Sequence, residues 1–214
     1  DADGRYLDGA NAWAYAGGPY TVIQQHRSEV TVAHEIGHIF YNLDEYPDGR
    51  SYFDRRGYYN TQNLNAYEDH PDLSQRVPSL MAETADQAFA NHTSSPTSLE
   101  MIGWRDSDAD GIFDVLDVPL TLTGSGSYDA QTSRYRFQGS SAVQTLPNQN
   151  PAGLGNDITL NKVNRLQYRV DGGAWTDAAV LDAHSVAIDV TVPAPPNRSL
   201  GFRTIADATG VTSP

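Results

Sequence analysis

The chain has 214 residues, of which 39% are hydrophobic, enough to build one large domain or two small ones. Its formal net charge of −13 would repel a phosphate backbone, so we expect no nucleic-acid partner. The absence of cysteine excludes disulfides and thiolate metal sites. No apolar run approaches the roughly 18–20 residues of a membrane span, and nothing in the composition indicates an oligomeric state.

The acidic residues are concentrated in the first part of the chain. Residues 1–118 contain 20 Asp and Glu against 7 Lys and Arg, whereas residues 119–214 contain 7 of each. This asymmetry predicts two modules of different character. Carboxylate clusters suit hard cations, so the acidic part is the better candidate for metal binding.

The first half predicts few regular elements. Residues 20–25 are rich in β-branched and aromatic side chains and predict a strand. Ser28 is a suitable N-cap for a helix over residues 29–42, where apolar residues recur at helical spacing. Residues 50–79 lack periodicity and predict a long ordered loop. A second helix is predicted to begin at Pro96, because proline is favoured at the first helical position.

Beyond residue 119 the sequence changes to short alternating segments. Asp171-Gly172-Gly173 is typical of a hairpin turn, and regular turns between short strands predict an all-β sandwich of immunoglobulin or fibronectin type over residues 119–214. Five segments alternate in the manner of strands: residues 120–123, 134–137, 165–170, 187–192 and 200–205.

The segment His34-Glu35-Ile36-Gly37-His38 carries the HExxH pattern of zinc hydrolases. Residues four apart lie on one face of a helix, so both imidazoles can reach a single metal ion. Glu35 lies about 100° further round the helix and is the candidate general base. The pattern therefore predicts that His34 and His38 are metal ligands.

A catalytic zinc site needs a third protein ligand and leaves a fourth position for water. Asp44 is the first candidate, because ten residues after His34 the chain can leave the helix, turn and return to the metal. Glu45 is the next candidate, and Glu68 and His70 are more distant ones.

With Asp44 as third ligand, the pattern resembles the metzincin class of zinc proteases and is most similar to its snapalysin-like variant. The segment Leu43-Asp44-Glu45-Tyr46 also resembles the LADEY segment of IgA-peptidase-like metalloproteases, with a spacing that differs by one residue. The resemblance places Met81 in a methionine turn beneath the metal. Metzincins usually carry glycine where this chain has Tyr41, and Asn42 is better suited to a left-handed bend.

The resemblance implies a zinc-dependent endopeptidase that acts on a peptide or protein substrate. It implies an α+β metzincin-like catalytic portion over residues 1–105, truncated at its N-terminal sheet, with Zn²⁺ as cofactor. Glu35 would take a proton from water and pass it to the leaving amine. The strand at residues 20–25 would bind an extended peptide by strand addition.

Residues 106–118 match a calcium-binding loop and predict a calcium-binding linker between the modules. Acidic residues occupy loop positions 1, 3, 5, 9 and 12, glycine occupies position 6, and position 7 offers a backbone carbonyl. The loop resembles the calcium repeats of thrombospondin type 3 or dockerin type. The predicted Ca²⁺ ligands are Asp106, Asp108, Asp110, Ile112, Asp114 and Asp117.

These observations predict a secreted or cell-surface zinc metalloendopeptidase, since millimolar extracellular calcium would fill a weak site. Two alternatives stay open. The chain could be a calcium-dependent adhesion module with an inactive protease scaffold, although the intact Glu35 favours an enzyme. It could also be a zinc hydrolase that acts on a substrate other than a peptide, because HExxH specifies activated water rather than substrate.

Overall fold

The structure is a computed structural model that describes residues 12–214. The chain divides into two units, each of which is made of two separate segments of the sequence. The first unit comprises Asp1–Arg105 and Pro147–Asn156, and the second comprises Asp106–Leu146 and Asp157–Pro214. The chain therefore passes between the units three times, and the segment Pro147–Asn156 joins the first unit from within the second.

The first unit is organised around helix α1, Glu29–Ile39. The Ser28 side chain caps it as predicted, because its Oγ accepts a hydrogen bond from the Thr31 amide at 3.3 Å. The helix is shorter than predicted and ends at Ile39, with Phe40 as C-cap.

Two short helices follow in the first unit. Helix α2, Ala85–Ala90, was not predicted, and its N-cap residue Thr84 makes no side-chain capping bond. Helix α3, Pro96–Met101, begins where predicted. The preceding Ser95 caps it, since its Oγ accepts a hydrogen bond from the Ser98 amide at 3.0 Å. Helix α3 could be predicted because it carries a capping serine and an N-terminal proline, whereas α2 lacks a side-chain cap.

The strands of the first unit form two small antiparallel pairs. Strand β1, Ala12–Ala14, pairs with β2, Thr21–Ile23, and this hairpin packs on α1. Strand β3, Arg55–Arg56, pairs with β4, Thr61–Gln62. The predicted strand at residues 20–25 is confirmed in its central part.

A buried carboxylate holds the long loop of residues 50–79 in place. Glu45 is 1% exposed, and it accepts hydrogen bonds from Ser95 Oγ at 2.6 Å and Asn65 Nδ2 at 2.8 Å. Its backbone carbonyl accepts further bonds from the Arg76 guanidinium at 2.6 Å and the Tyr67 amide at 2.9 Å. Burial raises the pKa of Glu45. The hydrogen-bond network around Glu45, rather than a β-sheet, holds this part of the chain together.

The second unit consists of two three-stranded antiparallel sheets with orders β5-β6-β9 and β10-β7-β8. The predicted strand segments are confirmed as strands, and β8 is additional. Register shifts interrupt the pairing of β7 with β8. The strands are β5 Leu120–Asp129, β6 Arg134–Val143, β7 Val163–Val170, β8 Thr176–Ala183, β9 Ser185–Pro193 and β10 Leu200–Ile205.

Side chains from both sheets pack against each other in the second unit. Phe137 from β6 and Ile188 from β9 pack with Leu166 from β7. The Phe202 ring from β10 stacks on Phe137 with centroids 4.4 Å apart. Burying a side chain of this size contributes roughly 1.5–3 kcal/mol, so these contacts hold the two sheets together.

The predicted α+β fold class is wrong. Strand accounts for 33% of the structure and helix for 14%, in small antiparallel sheets with few helices. The physical reason lies in the first unit, where α1 is the only helix longer than six residues among residues 12–105. The rest of the first unit is mainly loop, which side-chain hydrogen bonds hold in place, and it is not a sheet covered by helices. Across residues 12–214, no helix has both the length and the apolar character to cross a membrane.

Candidate metal centre

Helix α1 presents His34 and His38 on one face. The ring centroids lie 4.8 Å apart at an interplanar angle of 88°. This is the result of the four-residue spacing, which places the two side chains one turn apart. The pair therefore converges on one point beside the helix.

A tight turn after α1 returns the chain toward these rings. The Tyr41 amide donates to the His38 carbonyl at 3.0 Å, and the Asn42 amide donates to the Gly37 carbonyl at 3.0 Å. These two bonds form a Schellman motif, whose left-handed residue is usually glycine. Tyr41 occupies that position with φ 72°, so the expectation that Asn42 would make the bend is wrong.

Asp44 completes the cluster that the sequence predicted. Its Oδ1 lies 3.2 Å from His34 Nε2 and 3.2 Å from His38 Nε2. Ligand atoms of these three residues all lie within 4.8 Å of one another. The turn after α1 thus brings the third side chain to the same point as the two imidazoles.

The other candidates for third ligand lie elsewhere. Glu45 points into the buried network described above. The Glu68 carboxylate accepts a hydrogen bond from the Asp48 amide at 2.9 Å. His70 contacts the Leu64 carbonyl at 3.0 Å through Nε2. None of the three belongs to the cluster of His34, His38 and Asp44 in the described part of the chain.

Backbone carbonyls fix the orientation of both imidazoles. His34 Nδ1 lies 2.9 Å from the Leu80 carbonyl, and His38 Nδ1 lies 2.9 Å from the Asn42 carbonyl. A carbonyl can only accept, so each Nδ1 carries the proton and donates it. A neutral ring with this tautomer presents the Nε2 lone pair, which is the form that binds a metal.

Met81 lies against the middle of α1. It is 1% exposed, and a Cβ added at Gly37 would stand 2.8 Å from its Sδ. The Met81 carbonyl also accepts a hydrogen bond from the Glu45 amide at 2.8 Å. The close packing explains the glycine inside the helix and links the Leu80–Met81 segment to the chain that carries Asp44.

Glu35 is buried beside the histidines. It is 6% exposed, and its Oε2 has no hydrogen-bond partner among the described residues. Burial raises the pKa of Glu35, against the opposing influence of His38 and His34. A buried carboxylate without a donor is costly in a folded protein and points to a function.

The charges of the cluster are strongly coupled. Burial alone would raise the pKa of Asp44, but its contact with His34 and His38 holds that pKa well below the usual range. Burial alone would lower the pKa of His38, but the contact with Asp44 outweighs burial and raises it. Asp44 is therefore ionised, as a metal ligand must be.

Tyr46 is a further member of the site, one that the motif itself does not include. Its ring centroid lies 5.9 Å from that of His34. Burial and the charge of Asp44 raise the pKa of Tyr46 to about 12. Its hydroxyl therefore stays protonated near neutral pH and can donate a hydrogen bond.

The cluster opens into a cleft of about 260 Å³. Besides His34, Glu35, His38 and Asp44, the cleft is lined by β1 residues and by two arginines. The sequence predicted that the strand at residues 20–25 would bind an extended peptide, but it is β1 rather than β2 that lines the cleft. The lining residues not predicted from the sequence include Trp13, Arg50 and Arg56.

The acidic loop in the second unit brings together part of the predicted calcium site. Carboxylate oxygens of Asp106, Asp108 and Asp110 lie within 4.8 Å of one another. Asp106 accepts hydrogen bonds from the Asp110 amide at 3.2 Å and the Gly111 amide at 2.9 Å. Gly111 has φ 90°, a conformation that glycine adopts without strain.

The remaining predicted calcium ligands have other contacts. The Ile112 amide donates to Asp110 Oδ1 at 2.8 Å, and Asp114 Oδ1 accepts from the Ser107 amide at 2.8 Å. Burial raises the pKa of Asp117, and the negative charges of the neighbouring aspartates raise it further. Asp114 and Asp117 are outside the three-residue cluster in the described chain.

Comparison with protein-family models, with curated proteins and with solved structures found no match to this chain.

Proposed function

We propose that this chain is a zinc-dependent endopeptidase in which His34, His38 and Asp44 hold the ion and Glu35 is the general base. The convergence of these three side chains carries the proposal. Two ligand atoms bound at 2.0–2.1 Å to one tetrahedral zinc stand about 3.3 Å apart. The observed 3.2 Å separations between Asp44 Oδ1 and the two Nε2 atoms fit this value.

Two unsatisfied oxygens support the same proposal. Asp44 Oδ1 and Glu35 Oε2 are buried without a hydrogen-bond partner among the described residues. A cation would satisfy the first of them. The donor set of two imidazoles and one carboxylate is typical of catalytic zinc, which needs no thiolate.

When bound, zinc supplies a water of lowered pKa and polarises the carbonyl of the scissile bond. Glu35 takes a proton from water in the cleft and delivers it to the leaving amine. Because burial raises the pKa of Glu35, its carboxylate is a stronger base than that of an exposed glutamate. The Tyr46 hydroxyl is hydrogen-bonded to Asp44 and orients that carboxylate.

We propose further that the loop beginning at Asp106 binds calcium. Three converging carboxylates repel one another, and a divalent cation removes that repulsion. A weak site of this kind fills at the millimolar calcium found outside cells. The enzyme would therefore act in a secreted or cell-surface location.

The test replaces Glu35 by glutamine in the purified chain and measures cleavage of denatured casein together with zinc content. We expect Glu35→Gln to lower kcat/KM by about 10²–10⁴-fold, because proton transfer is lost. The zinc content should stay at one ion per chain, since Glu35 is not a ligand. Glu29→Gln, at an exposed position of the same helix, is the matched control and should leave both quantities unchanged.

Other outcomes would count against the enzyme. Undiminished casein cleavage by a zinc-loaded Glu35→Gln chain would exclude the proposed mechanism. A wild-type chain that binds zinc but cleaves neither casein nor peptides would favour a binding module built on an inactive scaffold.

A further inference from the structure

The cleft of the proposed metal centre contains two arginines that have no acidic partner in the part of the chain that the structure describes. Arg50 and Arg56 both line it, together with His34 and Glu35. Within residues 12–214, the ion pairs and side-chain hydrogen bonds formed by arginines do not include either of them. Both arginines thus line the site without a carboxylate partner among residues 12–214.

Two other arginines of this unit do have acidic partners. Arg76 holds Glu83 through two bonds of 2.6 and 2.8 Å. Arg105 lies 3.8 Å from the Glu100 carboxylate and 3.7 Å from the centroid of the Tyr59 ring. Residues 1–118 hold 20 acidic side chains against 7 basic ones, so acidic partners are abundant. Arg55 is also unpaired among residues 12–214, but it is exposed and lies outside the cleft. What needs a separate explanation is that two unpaired arginines line one cleft.

The charges in the cleft give that explanation. Among the described residues, the acidic side chains that line it are Glu35 and Asp44, which would offset the two positive charges of a bound zinc ion. Arg50 and Arg56 would then leave the cleft positive in an otherwise acidic unit. A positively charged cleft attracts negatively charged groups of a substrate.

Arg50 also acts electrostatically on the site. Its charge opposes the increase in the pKa of Tyr46, and the Tyr46 ring lies 5.9 Å from that of His34. Arg56 is half-buried where it lines the cleft. A planar guanidinium binds a carboxylate through two parallel hydrogen bonds, which gives orientation as well as affinity.

We infer that Arg50 and Arg56 bind a carboxylate of the substrate close to the scissile bond, so that the enzyme prefers acidic peptides. The inference rests on the proposed peptidase function. The carboxylate could belong to an Asp or Glu side chain or to the C-terminus of the peptide. The chemistry recognised is the same in both cases, and the experiment separates them.

The experiment measures kcat/KM for internally quenched peptides that carry Asp, Asn or Lys at each position flanking the cleaved bond. Each peptide is made with a free and with an amidated C-terminus. We expect a preference of about tenfold to a hundredfold for the carboxylate-bearing member of one pair, as for a charge-assisted hydrogen bond. Preference for Asp over Asn identifies the side chain, and preference for the free acid over the amide identifies the terminus.

The same peptides are then tested on Arg50→Gln, Arg56→Gln and the double variant. We expect the preference to fall below about threefold in the double variant. Arg55→Gln is the matched control, because Arg55 is an exposed neighbour that does not line the cleft, and it should keep the full preference. Equal cleavage of acidic and neutral peptides by the wild-type chain, or a preference that survives in the double variant, would overturn the inference.

A binding measurement separates this inference from the proposed function. Fluorescence anisotropy gives the affinity of labelled Asp and Asn peptides, with free and amidated termini, for the Glu35→Gln chain. Binding of the acidic member about tenfold more tightly, lost in the variant that also lacks both arginines, supports the inference even if the wild-type chain cleaves nothing. Equal affinities for all peptides overturn it even if casein is cleaved.

Discussion

The short connection between His38 and Asp44 requires Tyr41 to adopt a left-handed backbone conformation. A non-glycine residue with φ 72° costs roughly 1–2 kcal/mol relative to a right-handed conformation. Two features offset this cost. The Tyr41 ring packs edge-on against Tyr58 with centroids 5.6 Å apart. It also covers Gly17, where an added Cβ would lie 2.0 Å from the ring.

Replacing Tyr41 by valine should therefore disturb both the turn and the metal centre. We expect Tyr41→Val to lower the free energy of unfolding by about 2–3 kcal/mol, because a β-branched residue is strained at positive φ and the ring contact is lost. Urea unfolding and zinc titration measure the two effects. Tyr41→Phe keeps the ring and should stay within about 0.5 kcal/mol of wild type. A fully stable Tyr41→Val chain would show that the turn does not depend on this side chain.

The residues of the candidate metal centre differ in how far the sequence could reveal them. His34, Glu35, His38 and Asp44 lie within eleven positions, so helical spacing and one turn determine their proximity. The arginines at the cleft reach it through the loop of residues 50–79, whose path depends on distant hydrogen bonds to Glu45. No local pattern encodes those bonds, which is why the arginines were not predicted.

At the level of elements, the contact between α1 and Met81 couples the helix to the turn below it. Gly37 is less favourable than alanine in a helix by about 1 kcal/mol. An alanine Cβ, however, would stand 2.8 Å from Met81 Sδ and 3.2 Å from Asn42 Nδ2. Overpacking of a buried site costs about 1–3 kcal/mol, which exceeds the gain in helix propensity.

A double-mutant cycle tests this coupling. We expect Gly37→Ala to destabilise the wild-type chain by about 1 kcal/mol, but to be close to neutral in a Met81→Ala background, where the 2.8 Å contact is gone and only the Asn42 amide has to shift. The interaction energy from urea unfolding should be about 1–2 kcal/mol, as is typical of residues in contact. Additive effects of the two substitutions would mean that Met81 does not limit the residue at position 37.

Elements with local signals were predicted, and elements that depend on tertiary contacts were not. Ser28 and Ser95 cap α1 and α3, and both helices begin where the sequence indicates. Strand β8 has the sequence TDAAVLDA, which is poor in strand-forming residues, and it exists because it pairs with β7. The α+β prediction failed for a related reason, since it transferred a fold class from a motif that specifies only one helix and one turn.

At the level of the whole molecule, the acidic loop stands at the start of the second unit, and its charge should make the stability of the chain depend on calcium. Calcium at one hundred times its dissociation constant would add about 2.7 kcal/mol to the free energy of unfolding. For a chain of this size we expect Tm to rise by roughly 5–10 °C. Differential scanning calorimetry at constant zinc, with and without calcium, measures the shift.

Asp110→Asn should abolish the calcium response, because it removes one of the three converging carboxylates. Asp182→Asn is the control, since its carboxylate is 68% exposed, pairs only with Lys162 at 3.0 Å among the described residues, and lies outside the loop. Equal responses of the two variants, or no response of the wild-type chain, would show that the loop does not bind calcium.

The segment Pro147–Asn156, which belongs to the first unit, has a practical consequence for the design of truncated forms of this protein. The Gln149 amide donates to the Tyr58 carbonyl at 2.7 Å, so ten residues from late in the chain complete the first unit. Expression of residues 1–105 alone would remove residues 147–156 and leave the Tyr58 carbonyl without its hydrogen-bond donor. If the truncated chain had no activity, the loss could be due to the missing segment and would say nothing about the role of the histidines.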